Sequence, residues 1–145
     1  MKNEFVTKNF IIITLLTSIW VNISELIRYF PYVRPQMMDY LSSIPHMGEL
    51  NLQVVLVWGF FDTLLTALYV FCFWLCAQVF GNNRKSILIS GFMSWSFFFV
   101  LFWVGSANMF LAPWSNLLVV LPLALLETLV ASYIASQLYK RREER

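Results

Sequence analysis

The sequence predicts an all-α integral membrane protein, a four-helix transmembrane bundle, and three observations carry that reading. Hydrophobic residues make up 59% of the chain and charged residues 12%, against about 25% charged in a soluble globular domain. The apolar residues gather into four runs, at about 10–30, 52–80, 86–110 and 117–139, and a span needs roughly 20 of them to cross a bilayer. Apart from Arg28, inside the first run, and Arg34, just after it, the basic residues fall at three places outside these runs. Lys2, Lys8, Arg84, Lys85, Lys140, Arg141, Arg142 and Arg145 occupy the N-terminal tail, the loop between the second and third runs, and the C-terminal tail. By the positive-inside rule both termini and that loop face the cytoplasm. A single transmembrane domain over 1–145, N-in and C-in, is therefore expected, in a membrane of the bacterial inner (plasma) type.

The first run resembles a secretory signal in its basic start. However, no small-x-small cleavage site follows Val21, and Glu4 is out of place in a basic leader, so the run reads as an uncleaved span. Its Thr14, Ser18, Asn22, Glu25 and Tyr29 recur at helical spacing and form one polar face. Pro31 is expected to end this helix at Phe30. Residues 31–51 then form the long extracytoplasmic loop, with a short interfacial helix between spans 1 and 2 from about Pro35 to Ser43. His46 and Glu49, with Asp39 nearby, are too few to hold a metal ion, which normally takes three or four ligands. Asn22-Ile23-Ser24 has the form of a glycosylation acceptor but lies inside the span.

The second run carries Asp62 about 15 Å below its outer end, near the middle of a hydrocarbon core of about 30 Å. Gly59, Thr66 and Tyr69 share the Asp62 face. Residues 81–85, GNNRK, reverse the chain. The third run is rich in aromatics, and its Ser90, Ser94, Phe97, Leu101, Gly105 and Asn108 are expected to line the side packed against other helices. In the fourth run Glu127 falls at the depth of Asp62. Ala124, Thr128, Ala131, Ser132, Ala135 and Ser136 give that run a small-residue side suited to close helix packing. Pro122 leaves the Leu118 carbonyl without its amide partner. Cys72 and Cys76, four apart, read as small apolar packing residues.

A carboxylate at mid-bilayer costs roughly 2.5–3.5 kcal/mol on the insertion scale, so Asp62 and Glu127 must face a polar interior. Arg28 is expected at the outer edge, snorkelling outward and pairing with Glu25 across one helical turn, which leaves no basic residue at the depth of Asp62 and Glu127. The pair is then balanced by protonation, a shared proton, a bound cation or a partner subunit. The candidate intramembrane polar site comprises Asp62, Glu127, Asn22, Glu25, Thr66, Tyr69, Thr128 and Asn108. No nucleophile triad, metal cluster or cofactor fingerprint occurs, so no catalytic residue, metal or cofactor is assigned and enzyme chemistry is disfavoured. The reading is proton- or cation-coupled transport of a small solute through a polar cavity. An accessory subunit of a larger membrane complex, and a lipid-ligand pocket or intramembrane enzyme, are the alternatives. Expected partners are the lipid bilayer, a small solute or cation, and a homo-oligomer or larger complex. The KRREER tail is too small a basic surface for nucleic acid.

Overall fold

The computed structural model describes residues 6–44 and 50–143, so His46 and Glu49 lie outside the described residues. Four helices follow one another: α1 (Thr7–Tyr40), α2 (Leu52–Phe80), α3 (Arg84–Asn108) and α4 (Trp114–Glu143). Each is long and apolar enough to cross a membrane, and the chain is a multi-pass membrane protein. Local signals set the helix ends. The Asn51 side chain accepts from the Val54 amide at 2.9 Å and starts α2. Asn83 accepts from the Lys85 and Ser86 amides at 2.9 and 3.2 Å and starts α3. Both are side-chain caps of the first free amides. Gly81, at φ 78°, ends α2 in a conformation that disfavours other residues.

The helices form a bundle in which α1 and α3 each pack on both α2 and α4, and α2 also meets α4 across the diagonal. Large apolar side chains such as Leu15, Ile19, Phe60, Leu64, Phe102 and Leu126 point outward, the arrangement expected where the solvent is lipid. At one end of the bundle Asn82 Nδ2 donates to the Ser136 carbonyl at 3.0 Å, and Arg142 donates to Asn9 Oδ1 at 2.9 Å. The start of α1, the end of α4 and the 81–85 turn therefore gather there, as four antiparallel spans require. That end is called the inner end below.

Two π-helical turns depart from the sequence expectations. The first corrects the break placed at Phe30. Residues Tyr29–Val33 form a π turn, and the helix continues through Pro31 into Arg34–Tyr40. Proline has no amide to donate, and its ring clashes with the carbonyl four residues back. Widening the turn relieves that clash, and the Arg34 amide donates to the Tyr29 carbonyl five residues back. The short helix expected from about Pro35 is thus present, as a direct continuation of the first span.

The second π turn, Trp95–Val100, changes which face of α3 is buried. Ser86, Ser90 and Ser94 are buried at steps of four, and the next buried position, Phe99, follows after five. The extra residue rotates the outer half of the helix. Phe97, Leu101, Gly105 and Asn108, expected on the packed line, are consequently exposed. Below the turn, α3 approaches α4 closely at Gly91, where an added Cβ would lie 2.7 Å from Leu129 Cδ2 and 3.1 Å from Leu129 Cα. On α4, Ala124, Thr128, Ala131, Ser132, Ala135 and Ser136 are all buried. Pro122 sits within α4, and beside it the Trp95 indole donates to the Leu121 carbonyl at 2.8 Å.

Candidate functional site

Because α1 does not stop at Phe30, Arg28 is not at its outer edge. Twelve residues at about 1.5 Å each put it roughly 18 Å of helix below Tyr40. Asp62 lies about 15 Å below Leu52 by the same measure. Arg28 also continues the buried side of α1, which runs through Thr14, Thr17, Ser18 and Val21. Its side chain turns into the bundle and is 3% exposed.

This corrects the expectation that Arg28 snorkels outward and that no base stands level with the acids. The guanidinium Nη1 lies 3.1 Å from Glu127 Oε2 on α4. Nη2 contacts Glu25 Oε1 one turn back on α1. The guanidinium carbon sits 4.7 Å from the centre of the Phe99 ring on α3, within cation–π range. Asp62 on α2 lies within electrostatic reach of Glu25 and Arg28. Tyr69, two helical turns along α2 on the same face, lies within electrostatic range of Glu127, Glu25, Arg28 and Asp62 without a hydrogen bond to any of them. All four helices thus contribute to one cluster.

Packing and hydrogen bonds fix its walls. The Trp20 indole donates to the Glu127 backbone carbonyl at 3.1 Å, clamping α1 to α4 at this level. Val21, Tyr69, Phe99, Ala124 and Ala131 form the apolar packing around it. Glu127 is fully buried and Asp62 is 6% exposed. A planar guanidinium with donors on several edges can hold two carboxylates at once. Such pairing is what a buried charge requires, since removing one partner leaves the other unsolvated.

The cluster contains three carboxylates, Glu25, Asp62 and Glu127, to one guanidinium. Arg28 is in contact with two of them. Asp62 makes no ion pair among the described residues. The surplus acid calls for a proton, a bound cation or a basic group of a partner subunit.

The other candidate residues divide. Thr66 and Thr128 are fully buried, but their hydroxyls donate to their own helices, to the Asp62 carbonyl at 2.7 Å and the Leu125 carbonyl at 3.1 Å. Asn22 donates to the Ser18 carbonyl at 2.8 Å and faces Gly59 across the α1–α2 contact. Asn108 is exposed at the outer end of α3 and takes no part in the cluster. Arg28 and Phe99 were missed as site residues. The expected pairing of Arg28 with Glu25 across one helical turn is present, and what the sequence misplaced is the depth and direction of the arginine. Phe99 was hidden by the π turn. No protein-family model, curated protein or solved structure matches the chain.

Proposed function

We propose that the protein couples the movement of a small cationic solute to protons, with Asp62 as the exchanging carboxylate and Arg28 as the resident counter-charge of Glu25 and Glu127. The observation that supports this is the imbalance of three carboxylates, Asp62 and Glu127 buried and Glu25 half-buried, around one guanidinium. A monovalent cation arriving at Asp62 replaces the proton held there. The proton leaves, the cation takes its place, and the charge of the site is unchanged. Return of the proton from the other side releases the cation. Phe98 and Phe99 both pack against Tyr69 beside the cluster, and their ring faces would favour an organic cation over a strongly hydrated one.

The test uses proteoliposomes loaded with a pH-sensitive dye and exposed in turn to sodium, potassium, tetramethylammonium and tetraethylammonium. At least one of these is expected to drive counterflow of protons. Asp62→Asn, folded by size-exclusion and circular dichroism, is expected to abolish it. If no cation moves protons, or if Asp62→Asn behaves as the wild type, the coupled-transport reading fails. The Arg28–Glu127 pair then reads as a helix clamp in a structural subunit.

A further inference from the structure

The bundle has two apolar cores, one around the charge cluster and one nearer the inner end, with a polar layer between them. The upper core contains Val21, Tyr69, Phe99, Ala124 and Ala131. The lower core contains Ile13, Val70, Phe73 and Ala135. Between them by chain position lie Thr14 and Thr17 on α1, Ser94 on α3 and Ser132 on α4. On α2, Tyr69 stands at the top of the same interval. Thr17, Ser94 and Ser132 are fully buried, Tyr69 is 1% exposed and Thr14 6%. The hydroxyls of Thr14, Thr17, Tyr69 and Ser132 lack a protein hydrogen-bond partner, while that of Ser94 has the Cys72 thiol beside it.

Orphan hydroxyls are not expected inside a bundle, since most such groups in native proteins find a partner. A serine or threonine on a helix usually bonds its own carbonyl four residues back, as Ser90 and Thr66 do here at 2.7 Å. That α1, α2 and α4 present unpartnered hydroxyls between the two cores points to ligands among them that both donate and accept. Water has that chemistry, and buried water typically makes about three such bonds.

We propose that this layer binds a short file of water that extends the charge cluster towards the inner end, and that Phe73 closes the file. Phe73 is fully buried, packs with Ile13, Val70 and Ala135, and has Tyr139 against it with ring centres 6.0 Å apart. Beyond it the polar groups resume with the Asn82–Ser136 pair. Apolar constrictions of this kind gate by excluding water. The proposal rests on the transport reading, because it gives the proton of the cluster an inner exit. In that exit each water or hydroxyl accepts one proton, passes one on and is left unchanged.

The test is thiol accessibility, which needs no cargo. Ser132→Cys is placed in the full chain with Cys72→Ala and Cys76→Ala, and a small charged methanethiosulfonate is applied to both sides of the membrane. Labelling is expected to be slow with Phe73 present and at least about tenfold faster with Phe73→Ala, while Leu126→Cys on the outer face stays unlabelled. Phe73→Leu, closer in volume, gives an intermediate rate and covers the case in which Phe73→Ala fails to fold. Equal labelling with and without the ring, or none in either variant, overturns the proposal. Loss of cation-driven proton flow with this labelling pattern intact overturns the transport reading alone.

Discussion

At the scale of single residues, Arg28 decides what the interior is. It stands between Glu25 and Glu127 with the Phe99 ring against its guanidinium. Without it Glu127, fully buried, has no counter-charge in contact. Arg28→Met is therefore expected to destabilise the bundle by about 3–5 kcal/mol, the usual effect of removing one partner of a buried pair. Thermal unfolding in detergent reads it as a lowered midpoint. Arg28→Met combined with Glu127→Gln removes both charges and is expected to recover most of the loss. A double variant as unstable as the single one would mean that packing of the arginine side chain, and not its charge, is what matters. The acids themselves were legible in the sequence, because a carboxylate in an apolar run is visible by inspection. Their partner was not, because its depth depends on where α1 ends, and Pro31 signals a stop that the π turn overrides.

At the scale of elements, the four spans follow from composition and length, and the buried small-residue side of α4 follows from helical spacing. The packed face of α3 follows only as far as Ser94. Beyond it, Trp95–Val100 adds a residue to the turn, and a pattern read at 3.6 residues per turn then names Phe97 and Leu101 where the structure buries Phe99. No residue type in that segment announces a π turn. Close approach was equally invisible, since Gly91 and Gly105 look alike in the sequence and differ in their surroundings. A Cβ at Gly91 meets Leu129 at 2.7 Å, whereas one at Gly105 meets nothing within 4 Å. Gly91→Ala is accordingly expected to cost about 1–3 kcal/mol by overpacking, and Gly105→Ala to be neutral or slightly stabilising. The melting midpoints of the two variants, compared directly, check this. A Gly91→Ala protein as stable as the wild type would show that α3 and α4 separate easily.

At the scale of the molecule, charge placement and the hydrogen bonds of the inner end agree. Lys85, Lys140 and Arg141 are exposed at the same end as the Asn82–Ser136 and Asn9–Arg142 contacts. We expect this end to face the cytoplasm. A C-terminal fluorescent fusion should then glow and a C-terminal alkaline phosphatase fusion should be inactive. Replacing Arg84, Lys85, Lys140, Arg141 and Arg142 with glutamine should yield a mixed population, and an active phosphatase on the unaltered chain would reverse the assignment. Within that frame the cluster draws on every helix.

The most direct measurement is proton release by the purified wild-type protein in weakly buffered detergent solution on titration with tetraethylammonium or sodium, followed with an indicator dye. Binding of a cation at Asp62 in exchange for its proton predicts release approaching about one proton per chain at saturation, by linkage between the two ligands, and none from Asp62→Asn. A folded wild-type protein that releases no proton to any of the cations, or an Asp62→Asn protein that releases as many, would contradict the account.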